Sequence, residues 1–66
     1  MKIEEGRFYQ DGDEDIWQAV SFSVLMFVAH ADGDPNVTAF DVVPALRVAN
    51  HNGPLVEVRP TGWEAV

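Results

Sequence analysis

The chain has 66 residues, with four lysine and arginine residues against eleven aspartate and glutamate residues, for a formal net charge of −7. A chain of this length forms one small acidic domain, residues 1–66, and leaves no room for a separate regulatory module. Cysteine is absent, which excludes disulfide scaffolds, zinc–thiolate sites and cysteine nucleophiles. A small chain without disulfides favours a reducing compartment, so we expect a cytoplasmic protein.

The net negative charge is confined to the first 41 residues. Residues 1–15 carry six carboxylates and two basic side chains, and residues 32–41 carry three carboxylates and no basic side chain. Residues 42–66 balance two of each. A one-sided negative field repels nucleic acid and attracts basic partners. Because phosphate contacts need lysine and arginine, we expect no direct binding to nucleic acid.

The chain begins with a predicted strand and turn. Residues 2–10 are predicted to form a short strand, since Phe8 and Tyr9 supply aromatic side chains, and Gly6 marks a candidate bulge. The sequence Asp-Gly-Asp at residues 11–13 is typical of a turn.

Residues 16–31 contain no Asp, Glu, Lys or Arg and have two interpretations. Residues 20–24 alternate apolar and polar side chains, as in a strand. In contrast, two features favour a helix. Asp15 followed by Gln18 fits a capping box at the start of a helix, and Gly33 lies where a glycine commonly ends one. Sixteen residues is long for a strand in so small a domain, so we predict a helix. The run is too short and polar for a membrane span, and the acids before it do not fit a signal peptide.

The C-terminal half is predicted to form strands. Residues 37–43 are rich in β-branched side chains, and Pro44 belongs at an edge or bulge. A loop at residues 51–53, with Gly53 in the left-handed conformation, would join two further strands. This register pairs Val48 with Val56, Leu46 with Val58 and Arg47 with Glu57. The alternative for this segment is a helix through residues 42–50.

These elements predict an α+β domain. One central helix packs on a small antiparallel sheet, which consists of the N-terminal strand and the C-terminal strands with a hairpin at residues 51–53. After Pro60 the chain leaves the sheet and presents Trp63. Trp63 is a candidate hydrophobic anchor, because aromatic residues are enriched at interface hot spots, and the alternative is that it covers the end of a small core.

Metal and cofactor sites are not predicted. Residues 32–38 place oxygen ligands at alternate positions, as in a calcium loop, but the required glycine and glutamate positions hold Val37 and Val43. An acidic turn is the simpler interpretation. His30 and His51 lack a two-histidine spacing on one helix face, so no metal ligands are assigned.

Residues 40–47, Phe-Asp-Val-Val-Pro-Ala-Leu-Arg, are similar to a strand of polymerase-β-like nucleotidyltransferases. In that family such a strand carries the third metal-binding aspartate, so the resemblance implies this role for Asp41. The chain departs from the family elsewhere, because it lacks the family's Gly-Ser turn leading into a helix. Asp32 and Asp34 have the family's Asp-x-Asp spacing, but no Gly-Ser turn precedes them. Two-metal catalysis needs several converging carboxylates, so we predict no catalytic residues and no enzyme activity.

The leading hypothesis is a non-enzymatic acidic binding protein. It would act as a nucleic-acid mimic, inhibiting a larger protein by occupying its basic nucleic-acid-binding surface. Small inhibitors encoded by phages and mobile elements, including anti-CRISPR proteins, fit this physical description. The alternatives are an oligomeric or structural accessory module that uses an apolar edge and Trp63, a degenerate nucleotidyltransferase-like fragment, or acids that only aid solubility. The predicted partner-binding residues are carboxylates expected to be exposed: Glu4, Glu5, Asp11, Asp13, Glu14, Asp15, Asp32 and Asp34.

Overall fold

The computed structural model of the protein describes residues 2–29 and 42–66. In this part of the chain, one helix packs on a five-stranded antiparallel sheet with strand order β4-β3-β2-β1-β5. The elements are β1 Phe8–Gln10, β2 Ile16–Ala19, β3 Val24–Ala29, β4 Val42–Pro44, α1 Ala45–Asn52 and β5 Val56–Val58. The predicted α+β class is therefore confirmed, although the helix and strands occupy different segments from those predicted.

The core lies between α1 and one face of the sheet. Tyr9 pairs with Trp17, and Trp17 pairs with Phe27, so the register places the three aromatic side chains on the same face. The Trp17 and Phe27 rings meet edge to face, with centroids 5.2 Å apart. The helix contributes Ala45 and Val48, which lie three residues apart and are both buried. The remaining buried members of the cluster are Ala19, Leu25 and Leu55.

The helix predicted over residues 16–31 is wrong, because the described part of this run forms the β2–β3 hairpin. The Val20 N–H donates to the Val24 carbonyl oxygen at 3.0 Å and closes the hairpin. Residues 20–23 of the segment whose alternation indicated a strand thus make the turn between β2 and β3, and Val24 is the first residue of β3.

The predicted capping box does not form, because both of its members have other hydrogen-bond partners. The Asp15 N–H donates to the Asp11 carboxylate at 2.9 Å, which makes Asp15 part of a turn. The Gln18 side chain donates to the Gly6 carbonyl oxygen at 3.3 Å, next to β1. Pairing with β1 and β3 therefore outweighs the local helix signals of this segment.

The hairpin predicted at residues 51–53 is replaced by α1, which agrees more closely with the alternative helical interpretation. Pro44 is the N-cap residue of α1, with φ −56° and an extended ψ of 134°, so the helix begins immediately after it. Gly53 follows it with φ −61°, so it is not left-handed. Glu57 pairs with Arg7 at 2.8 Å instead of with Arg47.

Among the strands that the structure describes, β4 and β5 lie at the two edges of the sheet. Pro44 is the last residue of β4, so its predicted place at an edge is confirmed; residues 37–41 of that predicted strand lie outside the described residues. At the other edge, β5 pairs with β1, and the chain then turns so that Ala65 bridges Val58.

Candidate functional site

The acidic turn, defined here as residues 11–15, is built around one buried carboxylate. Asp11 is only 5% exposed. Its Oδ1 accepts hydrogen bonds from the N–H groups of Asp13 and Asp15, both at 2.9 Å, and its Oδ2 accepts one from Trp17 Nε1 at 3.0 Å. Three donors thus satisfy a charge that would otherwise be costly to bury. The expectation that Asp11 is exposed was wrong, and this carboxylate holds the turn together.

Two carboxylate residues at the tip of the acidic turn are exposed, Asp13 and Glu14, and Asp15 is half-buried. Glu14 has φ 68°, in the left-handed region. A side chain there costs about 1–2 kcal/mol that glycine avoids. The Glu14 N–H donates to the Asp11 carbonyl oxygen at 3.0 Å, and Gln10 Nε2 donates to the Glu14 carbonyl at 3.3 Å. The tip is therefore fixed at its backbone.

The acidic turn also contacts the end of α1. The Gly12 N–H donates to the Asn52 carbonyl oxygen, and a Cβ on Gly12 would collide with the carbonyl oxygens of Asn52 and Gly53. Glycine is thus required here by a close backbone approach. Because the C-terminal end of a helix carries partial negative charge, α1 adds to the negative potential around the exposed carboxylates.

Glu4 and Glu5 lie at the opposite end of the β1–β2 hairpin from the acidic turn. The Gly6 N–H that follows them donates to the carbonyl of Ala19, at the end of β2, at 2.8 Å. Glu4 forms an ion pair with Arg7 at 3.2 Å, and Arg7 also donates to Glu57. This hydrogen bond, with attraction from both glutamates, raises the pKa of Arg7. The structure therefore does not bring all the predicted carboxylates together, and Asp32 and Asp34 lie outside the described residues.

Trp63, the predicted hydrophobic anchor, is half-buried and packs on Phe8 with ring centroids 5.4 Å apart. Phe8 alternates with Tyr9 along β1, so this contact lies on the sheet face opposite α1. Neither Phe8 nor Trp63 belongs to the buried cluster between α1 and the sheet, so the role of Trp63 as a hydrophobic anchor stays a prediction.

An apolar groove beside α1 was not predicted from the sequence. It has a volume of about 570 Å³, and the side chains that line it include Ile3, Phe22, Leu46, Ala49, Pro54 and Leu55. Phe22, in the β2–β3 turn, is 80% exposed, and Leu46, in the first turn of α1, is 73% exposed. The sequence offered one signal of this groove, the alternative interpretation of residues 42–50 as a helix. In a helix, Leu46 and the buried Val48 lie on different sides, which leaves Leu46 exposed.

No group of three or more His, Cys, Asp or Glu side chains suited to a metal ion occurs within residues 2–29 and 42–66. His51 is exposed on the last turn of α1, and His30 is not among the described residues. The segment that resembles a nucleotidyltransferase strand is divided, since β4 ends at Pro44 and α1 begins at Ala45. Asp41, its implied metal ligand, also falls outside the described residues.

Comparison of the chain with known protein families, characterised proteins and solved structures gave no match. Among the described residues, no helix has the length and apolar character needed to cross a membrane.

Proposed function

We propose that this protein is a non-enzymatic acidic binding protein that inhibits a larger cytoplasmic protein by occupying its basic, nucleic-acid-binding surface. The contact is made by the acidic turn, in the manner of a nucleic-acid mimic and of small phage or mobile-element inhibitors such as anti-CRISPR proteins. The observation that supports it most is the exposed pair Asp13 and Glu14, carried on a turn that the buried Asp11 carboxylate fixes from inside.

The conformation of Glu14 supports a role beyond solubility. A glutamate that only aids solubility can be placed anywhere on the surface, whereas Glu14 occupies a left-handed position that glycine or asparagine fills at lower cost. Strained residues that persist in a fold are candidates for function. A fixed backbone also reduces the conformational entropy that the turn loses when these carboxylates pair with lysine or arginine, and such charge-assisted hydrogen bonds are strong.

The net charge of −7 supports the same proposal, because it attracts a basic partner over long range. Long-range attraction raises the rate at which a basic partner meets the acidic surface, and salt screens it over about 10 Å at 0.1 M ionic strength. Binding should therefore weaken steeply as salt is raised, and DNA or RNA should compete for the partner.

The test is affinity capture from cells of the native host with three versions of the immobilised protein. These are the wild type, the turn variant Asp13→Asn/Glu14→Gln, and a control, Glu5→Gln/Glu64→Gln. The control removes the same charge from exposed positions outside the turn. We expect the wild type and the control to retain a nucleic-acid-binding protein at low salt, and added DNA or RNA to displace it. The affinity of the turn variant for that protein should be lower by about tenfold or more. Equal retention by the turn variant, or retention that nucleic acid does not reduce, contradicts the proposal.

A further inference from the structure

We propose that Asn52, the last residue of α1, is a site of spontaneous deamidation, and that its conversion to aspartate or isoaspartate loosens the acidic turn from the helix. Deamidation is fastest where glycine follows asparagine, because glycine has no Cβ to hinder the approach of its backbone nitrogen to the side-chain amide. The chain contains one such pair, Asn52 and Gly53. This inference does not depend on the proposed function.

The reaction needs only these two residues and one water molecule. The deprotonated Gly53 nitrogen attacks Cγ of Asn52, the new C–N bond closes a five-membered succinimide, and the side-chain nitrogen leaves as ammonia. The proton lost by the Gly53 nitrogen returns to the leaving group through solvent. Water then opens the ring at either carbonyl and yields aspartate or isoaspartate. The amide and water thus become a carboxylic acid and ammonia, with no oxidant or reductant.

The fold requires the glycine of this pair. A Cβ on Gly53 would collide with the Ala49 carbonyl oxygen, so the residue that favours the reaction is held in place by packing. Asn52 is half-buried, and no described residue forms a hydrogen bond to its side-chain amide. Nothing in the described part of the chain therefore holds this amide away from the Gly53 nitrogen.

The end of α1 controls the rate of the reaction. The Gly53 N–H donates to the Ala49 carbonyl oxygen at 3.0 Å, so its nitrogen can attack only after this bond opens. The last turn of a helix opens at low cost, and α1 has only eight residues. Asn50 is an internal comparison, because it is more exposed than Asn52 but is followed by His51, whose Cβ hinders the attack.

The product changes the contact between α1 and the acidic turn. The Asn52 carbonyl oxygen accepts the hydrogen bond from the Gly12 N–H. A carboxylate at position 52 lies at the negative end of the helix dipole, which destabilises the last turn. Isoaspartate also adds one carbon to the backbone and moves this carbonyl away from Gly12. The modification is therefore a slow, one-way change that weakens the attachment of the acidic turn.

The test incubates the full chain at mildly alkaline pH and follows conversion by mass spectrometry of proteolytic peptides. The gain in mass separates deamidation from isomerisation of Asp-Gly pairs, which leaves the mass unchanged. A synthetic peptide of residues 49–56 gives the rate without the fold. Asn52→Gln keeps an amide but would need a larger ring, and Ala49→Gly loosens the last turn while keeping its carbonyl. Wild type in urea below its unfolding transition loosens the same turn without a substitution. Circular dichroism checks that each version is folded.

We expect conversion at Asn52 and none at Asn50 in the folded chain. The rate should be lower than in the peptide by about tenfold or less, the cost of opening one exposed hydrogen bond. Ala49→Gly should raise the rate by about fivefold, and Asn52→Gln should not convert. Hydrogen exchange at the Gly12 N–H should be faster in the converted protein and in Asn52→Asp than in fresh wild type or Asn52→Gln.

The site is disproved if Asn52 of the folded chain stays intact over about ten half-lives of the peptide, or if Asn50 converts as fast as Asn52. Control by the helix end is disproved if neither Ala49→Gly nor low urea raises the rate. If the Gly12 N–H is equally protected before and after conversion, the modification does not loosen the acidic turn.

Discussion

Asp11 and Trp17 are joined by a 3.0 Å hydrogen bond between the carboxylate Oδ2 and the indole Nε1, and both residues are nearly buried. This bond connects the acidic turn to the aromatic row in the core, since Trp17 packs on Phe27. One carboxylate of the acidic turn therefore stabilises the fold, while Asp13 and Glu14 remain at the surface. Counting acidic residues in the sequence does not separate these two uses.

Asp11→Asn should lower the free energy of unfolding by about 1–3 kcal/mol. The amide has only one oxygen acceptor, so its NH₂ group must face either the indole N–H or the backbone N–H donors of the turn. Urea unfolding of the variant measures the effect. Asp13→Asn is the control, because Asp13 is exposed and its substitution should change stability by less than about 0.5 kcal/mol. Equal effects of the two substitutions would show that the buried network does not stabilise the turn.

Glu14→Gly should raise the free energy of unfolding by up to about 1 kcal/mol, because glycine relieves the left-handed conformation but gains freedom in the unfolded chain. For a domain of this size, 1 kcal/mol corresponds to about 4–8 °C in Tm. The control Asp13→Gly removes the same charge at a position where φ is not positive, so it should lower Tm. A lower Tm for Glu14→Gly would contradict the strain argument.

The sequence was sufficient for the α+β class, the turn at residues 11–13 and the edge position of Pro44. It was not sufficient to place the helix. Asp15 and Gln18 resemble a capping box, yet their hydrogen bonds go to Asp11 and Gly6, and the competing partners become visible only once β1, β2 and β3 are assembled. The helix signals thus failed where the turn at residues 11–15 and the pairing of neighbouring strands were stronger.

The segment that forms α1 carried helix-boundary signals of its own. Pro44 precedes α1, His51 lies in its last turn, and Gly53 follows it. The apparent cross-strand pairs of the predicted hairpin outweighed these signals. The apolar groove could not be predicted for the same reason, since it exists only when α1 and the β2–β3 turn are both in place.

Gly53 remains a position where substitution should be costly, but for a reason other than a left-handed conformation. A Cβ on Gly53 would collide with the Ala49 backbone, and one on Gly12 would collide with the carbonyls at the end of α1. Gly53→Ala and Gly12→Ala should each destabilise by about 1–3 kcal/mol, as overpacking does. Chemical unfolding checks this, with Asp13→Ala as an exposed neighbour that should be mild. If Gly12→Ala is as mild as Asp13→Ala, the close contact between the acidic turn and α1 is not present in solution.

The position of α1 can be tested with Val48 and Leu46, two apolar residues two positions apart. In a strand their side chains point to the same face, so truncating either should have a similar effect. In α1 they lie on different sides, and Val48 is 2% exposed while Leu46 is 73% exposed. Val48→Ala should therefore destabilise by about 2 kcal/mol, whereas Leu46→Ala should stay within about 0.5 kcal/mol of the wild type. Thermal and urea unfolding of both variants measure the difference. Similar losses for the two would favour the hairpin at residues 51–53, and they would remove α1 as the wall of the apolar groove.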